Sequence, residues 1–498
     1  MKLYKSKAVC IISAVLTAFA QIENQWFIAY ISLIPLYIGL LKCETIREYI
    51  KSTSVFFLTY TIMLMSFLMT LYDIIPLNKL LSILLCAIAV IGLSVIQSAV
   101  MVISVTPAYR VRKNKALFIT VFSFCYAMGQ WLIEMLPVLA FPWARLENAL
   151  VYHRTHIMSA ELFGGLFVCI IIVAVNGLFS VSVINARKLD ILKSAIYFTT
   201  AIALFGANHK YGMIRLEQKS TNDASRKKIE VLVIQTSIEG IDKNKVSQSY
   251  AIEEIQQLIN DGITPQTKLI VLPETAISSV NSESTQWLLE ISKDTPIIVG
   301  GFTNKNDKSY NSMIALASGE VSDCYTKSVL VPFGEYIPFG EMLGFSNVYP
   351  HKCEAPVQIG NDKYACMICV ETLFSDILKP QIQSGGKAIV VSTNDSWFKN
   401  SFARKLHFNN CIMRAVEYER YVVRSGNCGI SAIISDSGYV MNVLDKKKSG
   451  NISATVSLSE KRTLFSYIGN AIITPPLMYS IWFYLSAIFK TFIRNSIP

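Results

Sequence analysis

Residues 364–376 read Tyr-Ala-Cys-Met-Ile-Cys-Val-Glu-Thr-Leu-Phe-Ser-Asp. The apolar run at the start of this stretch predicts a buried strand that ends at Cys369, and an amphipathic helix is expected to begin near Thr372. A cysteine at such a strand-to-helix turn projects from the carboxyl edge of a sheet, and the amides that follow it can hold a developing oxyanion. The alternative is a small core residue, because free cysteine is among the most buried residue types.

Composition divides the 498-residue chain into apolar and ordinary segments. Hydrophobic residues make up 52% of the chain and charged residues only 16%, which is too apolar for a soluble protein. The apolar excess falls before residue 207 and after residue 463, and the segment between is long enough for one substantial core. We therefore expect a seven-helix transmembrane bundle in residues 1–206, a globular domain in 207–463, and an eighth helix with a cytoplasmic tail in 464–498.

Eight apolar runs are candidates to cross a bilayer. They are Ala8–Ala20, Trp26–Leu41, Ser54–Tyr72, Leu80–Val105, Ala116–Ala140, Ala160–Ile184, Leu189–Phe205 and Leu464–Phe489. If the N-terminus is cytoplasmic, the inner segments hold 15 Lys and Arg residues and the short outer loops hold three. This positive-inside bias predicts that the globular domain lies outside the cytoplasm. The net charge of +11 is then a topology signal rather than a sign of nucleic-acid binding.

The globular domain alternates short strand-like runs with helical patterns. The strand-like runs are Ile229–Gln235, Leu269–Leu272, Ile297–Phe302, Ser312–Ala317, Tyr364–Cys369, Ala388–Ser392, Tyr421–Ser425, Ser431–Ser435 and Ser453–Leu458. The helical patterns occupy Lys245–Asn260, Ser284–Ser292, Leu373–Gln383 and Phe402–Tyr418. We expect two packed β-sheets with helices outside them, an αββα sandwich, and a hairpin turn at Gly438.

Three further stretches place polar side chains where a strand ends. Glu274 follows the run Leu-Ile-Val-Leu-Pro, Lys327 precedes an apolar run with Glu335 eight residues later, and residues 394–398 read Asn-Asp-Ser-Trp-Phe. Taken singly, each has an ordinary explanation: a carboxylate at a helix start, a solvated lysine, and a polar turn with an anchoring aromatic ring.

The eleven cysteines and five histidines form no paired metal-binding motif, so we expect no metal and no cofactor. Cys366 and Cys369 do form one Cys-x-x-Cys pair, but a redox pair would need a thioredoxin-like context that the sequence lacks. Side chains alternate faces along a strand, so the two thiols should point to opposite sides, with Cys366 remaining buried.

In their order and at those strand ends, Glu274, Lys327 and Cys369 resemble the Glu-Lys-Cys triad of the nitrilase superfamily. The resemblance implies that the carboxylate takes the thiol proton, the ammonium stabilises a tetrahedral oxyanion, and the thiolate attacks an acyl carbon. Supporting roles, behind the triad or at the oxyanion, are expected for Glu335, Val370 and Glu371.

A nitrilase-like domain that follows seven helices and precedes an eighth resembles the arrangement in the apolipoprotein N-acyltransferase family. Residues 327–338, residues 394–398 and the Phe-Pro-Trp at 141–143 also resemble stretches of that family. The resemblance implies a ping-pong reaction at the bacterial cytoplasmic (inner) membrane, with the catalytic domain on the periplasmic side. Cys369 would take an acyl chain from a phospholipid and pass it to the α-amine of a lipoprotein's diacylglyceryl-cysteine. The expected partners are thus a phospholipid donor and a diacylglyceryl-modified apolipoprotein, and the enzyme is expected to be a monomer.

Aromatic residues concentrate in residues 332–349 and 397–402. We interpret them as substrate-binding loops that dip to the membrane interface, where aromatic rings settle. The alternative is a set of rings packed beneath a long loop. The residues assigned to these loops are Phe333, Tyr336, Phe339, Trp397 and Phe398.

Two other functions stay open at this stage. One is a membrane-anchored amidase or nitrilase that hydrolyses a small amide, although a water-soluble substrate needs no transmembrane bundle. The other is a non-catalytic membrane scaffold with a relict domain, against which the intact trio of Glu274, Lys327 and Cys369 argues.

Overall fold

Long apolar helices lie before and after a two-sheet domain. The computed structural model describes residues 2–75, 77–137, 139–222, 225–238, 248–278, 285–331, 334–336, 348–399, 401–444 and 448–496. The chain divides into two units. The first comprises Met1–Met69, Leu84–Ile214 and Asn470–Pro498, and the second comprises Thr70–Ile83 and Arg215–Gly469.

Helices occur in both units. In chain order they are α1 (Lys2–Ile22), α2 (Trp26–Ala29), α3 (Ile34–Leu40), α4 (Ile46–Met65), α5 (Lys79–Val105), α6 (Lys115–Glu134), α7 (Arg154–Ile157), α8 (Ala160–Phe163), α9 (Gly165–Arg187), α10 (Ile191–Asn222), α11 (Gln248–Gly262), α12 (Gln286–Ser292), α13 (Leu378–Gln383), α14 (Ala403–Tyr418), α15 (Leu464–Ile468) and α16 (Thr474–Ser496). Short 3₁₀ segments lie at Ser66–Asp73, Thr106–Val111, Leu146–Leu150, Cys369–Leu373, Ser375–Ile377, Asp395–Phe398 and Ala471–Ile473.

Six helical segments among the described residues are long and apolar enough to cross a membrane. They are Ile46–Asp73, Lys79–Val111, Lys115–Glu134, Gly165–Arg187, Ile191–Thr221 and Ala471–Phe489. The first two predicted spans correspond to shorter apolar helices, Lys7–Ile22 and Trp26–Leu40. The described residues therefore contain the long apolar helices that the composition predicts, with two shorter ones at the start.

Several predicted helix bounds differ from the structure. The predicted span Leu464–Phe489 is interrupted at Gly469, whose φ of 56° lies in the left-handed region that ends helices. The predicted span Ala116–Ala140 ends at Glu134, and α10 runs past residue 206 to Asn222. Hydropathy marks where a helix stops being apolar, not where its backbone stops being helical. The domain boundary at residue 206 stays a prediction.

The predicted span Trp26–Leu41 is two helices, because the backbone breaks between α2 and α3. Asn176 of α9 supports this break: its side chain donates to the carbonyl of Ala29 at 2.9 Å and accepts from the amide of Leu33 at 2.8 Å. A buried backbone group without a partner is costly in an apolar bundle, so one asparagine allows the helix to break there.

Three glutamines hold a non-helical segment inside the first unit. Gln21, Gln97 and Gln130 each donate a side-chain N–H at 2.8 Å to a backbone carbonyl of residues 141–144. All three glutamines are buried. Irregular backbone within a bundle persists only where protein groups satisfy its hydrogen bonds, and these side chains donate the hydrogen bonds that the carbonyl groups need.

Arg145, which directly follows this segment, belongs to a cluster of buried charges. The Arg145 guanidinium lies against the carboxylate of Glu134, and its Nε donates to Glu147 Oε1 at 2.8 Å. All three side chains are almost fully buried. One arginine thus holds two carboxylates within the helical unit.

The second unit contains two six-stranded sheets. The strands are β1 (Lys227–Gln235), β2 (Thr267–Val271), β3 (Ile297–Lys305), β4 (Lys308–Ala317), β5 (Glu320–Thr326), β6 (Val357–Ile359), β7 (Asp362–Ile368), β8 (Ala388–Asn394), β9 (Val422–Asn427), β10 (Ala432–Ile434), β11 (Val440–Val443) and β12 (Gly450–Leu458). The first sheet has the order β12-β1-β2-β3-β4-β5 and the second β11-β10-β9-β8-β7-β6. β1, β2 and β3 run parallel, as do β7, β8 and β9, and the other pairs are antiparallel.

The predicted αββα sandwich is confirmed. Apolar side chains of both sheets form one core between them, including Val231, Val271, Cys366 and Val390. A second apolar cluster lies between the first sheet and the outer helices α11 and α12. The hairpin turn at Gly438, whose φ is 74°, joins β10 to β11 as predicted.

Two local predictions were incomplete or wrong. All nine predicted strands occur, but β5, β6 and β11 were not predicted because they are short or lack an apolar face. The helix predicted for Leu373–Gln383 is instead a pair of 3₁₀ segments followed by α13. The first 3₁₀ segment forms a separate tight turn because the carboxylate of Glu371 accepts a hydrogen bond from the amide of Ile368 at 2.7 Å.

Candidate active site

The carboxyl ends of strands from both sheets meet at one edge of the sandwich. β2 ends three residues before Glu274, β5 ends directly before Lys327, and β7 ends directly before Cys369. Hydroxyl groups join the sheets here: Ser392 donates to the carbonyl of Leu272 at 2.8 Å. The topology therefore brings two predicted site residues from the first sheet toward one from the second.

Lys327 is a buried ammonium between two carboxylates. Its Nζ donates to Glu274 Oε1 at 3.0 Å and to Glu335 Oε1 at 2.8 Å, and the residue is 1% exposed. Burial alone would lower the pKa of Lys327, but the charges of Glu274 and Glu335 outweigh it and hold this pKa well above its usual value. The cation is therefore permanent at physiological pH.

Asn311 of β4 completes this group. Its Nδ2 donates to Glu274 Oε1 at 2.8 Å and to Glu335 Oε1 at 3.1 Å. The amide of Val331 donates to the other Glu335 oxygen at 2.9 Å. Burial would raise the pKa of Glu335, but Lys327 and these donors hold it below its ordinary value. Glu335 thus stays charged and fixes the ammonium, as expected for a supporting residue.

Cys369 occupies a strained turn. Its φ of 52° is unusual for a residue other than glycine, and strain of this kind is common at functional sites. The residue is 8% exposed. Burial, and then the charge of Glu274, raises the pKa of the Cys369 thiol, whereas Lys327 opposes the shift. The resting group is therefore a neutral thiol that needs a base at the moment of attack.

Glu371 ties the loop after Lys327 to the cysteine turn. One of its oxygens accepts hydrogen bonds from the amide and the hydroxyl of Ser328, both at 2.7 Å. The other oxygen accepts hydrogen bonds from Tyr325 Oη at 2.9 Å and from the Ile368 amide at 2.7 Å. Burial raises the pKa of this carboxyl. The side chain thus joins parts of the two sheets.

Val370 follows the nucleophile in the 3₁₀ segment Cys369–Leu373. The first N–H groups of a helical turn have no acceptor within that turn. Its backbone is therefore suited to the predicted oxyanion contact, while its side chain is buried.

The predicted substrate loops are described in part. Trp397 is 44% exposed, while Phe398 and Tyr336 are half-buried. Phe398 contacts His407 edge-on, with ring centroids 5.9 Å apart. Phe333 and Phe339 lie outside the described residues. The role of these rings in substrate binding stays a prediction.

A buried charged network beneath Cys369 was not predicted. His407 of α14 contacts the Cys369 carbonyl through Nε2 at 2.9 Å and Asp395 Oδ1 through Nδ1 at 2.9 Å. Arg424 of β9 donates to Asp395 Oδ2 at 2.7 Å, and Thr393 donates to Oδ1 at 2.9 Å. The pKa of Asp395 is held well below its usual range, because Arg424 and His407 outweigh its burial.

Ligand atoms of Cys369, Asp395 and His407 lie within 4.8 Å of one another, a combination that can hold a metal ion. Both Asp395 oxygens and both His407 nitrogens already have protein partners. A cation here would compete directly with the guanidinium of Arg424, so the group fits a hydrogen-bonded network better than a metal centre.

Family comparisons match both parts of the chain. Residues 231–464 match the family model described as carbon-nitrogen hydrolase. Residues 13–178 match the model described as apolipoprotein N-acyltransferase N-terminal domain. The chain belongs to the apolipoprotein N-acyltransferase family.

Members of this family from distant bacteria align with the chain. The apolipoprotein N-acyltransferase of Haemophilus ducreyi is 28% identical over 330 residues, covering 61% of this chain and 65% of that protein, just under two thirds of its length. That of Aquifex aeolicus is 29% identical over 342 residues, covering 65% of this chain and 73% of that protein. Among solved structures, Saccharomyces cerevisiae Nit3, a member of branch 10 of the nitrilase superfamily, aligns with 46% of this chain and 90% of its own, at 22% identity and a TM-score of 0.38.

Sequence reasoning named Glu274, Lys327 and Cys369 at this candidate site but missed Asn311, His407 and Arg424. Two of the three carried a signal. Arg424 lies within the predicted strand Tyr421–Ser425 and Asn311 lies directly before the predicted strand Ser312–Ala317, and a polar or charged side chain in a buried strand is expected to have a specific partner. His407 lies on α14, whose helical pattern gave no indication of what it would contact.

Proposed function

We propose that this chain is an apolipoprotein N-acyltransferase that moves a fatty acyl chain from a phospholipid, through a Cys369 thioester, to the α-amine of a lipoprotein's diacylglyceryl-cysteine. The observation that carries the proposal is the buried Lys327 ammonium between Glu274 and Glu335, beside the strained turn of Cys369. It occurs in a chain that also matches the family's N-terminal domain.

In the first half-reaction the acyl chain moves onto the enzyme. Glu274 takes the proton of the Cys369 thiol while the sulfur attacks the ester carbonyl carbon of the phospholipid. Lys327 and the Val370 amide stabilise the resulting oxyanion. The tetrahedral intermediate collapses by breaking the bond to the glycerol oxygen, which takes the proton from Glu274. The products are the thioester and a lysophospholipid.

In the second half-reaction the neutral α-amine of the acceptor attacks the thioester carbonyl carbon. Lys327 again faces the oxyanion, and Glu274 takes a proton from the attacking nitrogen. Collapse of the intermediate breaks the carbon–sulfur bond and forms the amide. The departing thiolate recovers the proton from Glu274, which restores the starting enzyme.

The setting follows from the substrates. Both carry acyl chains that stay in a bilayer, so the reaction needs a membrane-embedded enzyme. On the positive-inside bias, the bundle lies in the bacterial cytoplasmic membrane and the two-sheet domain lies on its extracytoplasmic side. Residues Trp397 and Phe398 are proposed to contact the lipid substrate, and the enzyme acts as a monomer.

The proposal is tested by the covalent intermediate. Purified protein incubated with phospholipid and no acceptor should accumulate one hydroxylamine-labile acyl group, detected by mass spectrometry. That group should be absent in Cys369→Ala and present in Cys366→Ala, the matched control, because Cys366 is fully buried between the sheets. Acylation that survives in Cys369→Ala would contradict the assignment. Steady hydrolysis of a small amide without acylation would favour an amidase instead.

A further inference from the structure

Each ring nitrogen of His407 faces an oxygen acceptor. Its Nε2 lies 2.9 Å from the Cys369 carbonyl oxygen, which only accepts hydrogen bonds, so Nε2 carries a proton. Its Nδ1 lies 2.9 Å from Asp395 Oδ1. Since Asp395 is ionised by its pairing with Arg424, that oxygen also only accepts. Both ring nitrogens are then placed to donate.

The alternative arrangement is a neutral ring whose Nδ1 accepts from Arg424 Nη2, 3.3 Å away. That arrangement would place the Nδ1 lone pair against the charged Asp395 oxygen at 2.9 Å. Two acceptors at that distance repel each other, so the shorter contact selects the protonated ring.

Two arginines contact Asp395, the aspartate that faces the ring. Asp395 is matched by Arg424, and Arg404 of α14 donates its Nε to the Asp395 carbonyl at 3.2 Å. His407 is 1% exposed. The thiol sulfur of Cys369 lies within 4.8 Å of both the ring and the Asp395 carboxylate. A buried cation at this range favours a thiolate over a thiol.

The same ring also fixes the backbone of the strained turn. A positive φ at a residue with a side chain is strained and persists only when its surroundings enforce it. The hydrogen bond between His407 and the Cys369 carbonyl helps to hold the turn in this conformation. In a trans peptide the carbonyl and the next N–H point in opposite directions, so this bond also sets the direction of the Val370 N–H.

We propose that His407 is a positioning residue, a buried imidazolium that Asp395 and Arg424 hold beneath Cys369, where it fixes the nucleophile's carbonyl and stabilises its thiolate. The proposal rests on the proposed function in so far as thiolate stabilisation serves acyl transfer. In that reaction the imidazolium assists attack by the sulfur in the first half-reaction and its departure in the second.

The first measurement is the protonation of the ring in the intact, full-length protein. Nitrogen-15 spectra of histidine-labelled protein should show two N–H nitrogens for His407 at neutral pH. The signal is assigned by removing the other histidines in turn: His153, His156, His209 and His351. A ring with one N–H and one bare nitrogen would overturn the proposal, and this result requires no activity.

The second measurement is the alkylation rate of Cys369 by iodoacetamide, which requires no lipid. His407→Gln keeps a side-chain N–H for the Cys369 carbonyl but removes the charge, and we expect alkylation to slow roughly tenfold. Asp395→Asn should leave the His407 ring neutral in the nitrogen-15 spectra. Wild-type alkylation rates in folded His407→Gln would refute the electrostatic role.

These outcomes separate the two proposals. If the wild-type protein forms no acyl-enzyme but shows the doubly protonated ring and the slowed alkylation, the proposed function fails and the role of His407 stands. If the acyl-enzyme forms normally in His407→Gln and its alkylation rate is unchanged, the proposed function stands and the role of His407 fails.

Discussion

Two opposite charges lie near Cys369, and removing each one should shift the pKa of the Cys369 thiol in the opposite direction. Glu274 raises the pKa of the thiol and Lys327 lowers it. Glu274→Gln should therefore increase the thiolate fraction at neutral pH, and Lys327→Met should decrease it. The two substitutions leave side chains of similar size, so the sign of the effect reports charge rather than packing.

The magnitude follows from two general relations. A charge within about 4–6 Å shifts a pKa by about 1–3 units. The intrinsic nucleophilicity of a thiolate falls with its pKa, with a coefficient of about 0.4–0.5, so roughly half of the logarithmic change in thiolate fraction remains in the rate. Alkylation of Cys369 should therefore accelerate by about 3-fold to about 30-fold in Glu274→Gln and slow by a similar factor in Lys327→Met.

The assay follows the Cys369 peptide by mass spectrometry after timed exposure to iodoacetamide at pH below the thiol pKa. Cys324 and Cys353 are replaced by serine beforehand, because they are not buried and would consume reagent. Glu320→Gln is the matched control, since this exposed carboxylate lies at the amino end of β5, away from Lys327 at its carboxyl end. Equal rates in all variants, or a slower rate in Glu274→Gln, would refute the electrostatic reasoning.

Two further predictions concern the membrane setting and the bundle. An impermeant amine reagent on intact cells or spheroplasts should label the exposed Lys352 and spare the exposed Lys113, and the reverse pattern would overturn the proposed orientation. Arg145→Met leaves two buried carboxylates without their cation and should destabilise the detergent-solubilised protein by about 3–5 kcal/mol, measured as lowered thermal stability. Adding Glu134→Gln and Glu147→Gln should restore most of the lost stability, and a triple variant that stays as unstable as Arg145→Met would argue against a charge effect.

The sandwich and the charged site residues could be predicted because each leaves a mark in one local stretch of sequence. Strand ends are visible as apolar runs that stop, and Glu274 and Cys369 each stand at such a stop, whereas Lys327 is marked by the apolar run that follows it. The parallel strands of both sheets then bring these ends to the same edge.

The partners of those residues could not be predicted in the same way, because contact depends on register and packing. Asn311 reaches Glu274 only because β4 pairs with β3 at one particular register. His407 reaches the Cys369 carbonyl because α14 packs against the second sheet at a depth that no periodicity specifies. A polar residue in a buried strand indicates that a partner exists, but it does not identify the partner.

The pairing of β1 with β12 has a consequence for the order in which the protein is made. These strands pair along their whole length, from Lys227 with Leu458 to Gln235 with Gly450. The first sheet therefore stays open at β1 until nearly the entire domain has left the ribosome, long after Cys369 has emerged. Closing so distant a pair is slow, because a large chain loop must first be ordered. Until that step, the sheet that holds Glu274 and Lys327 lacks its β12 edge strand.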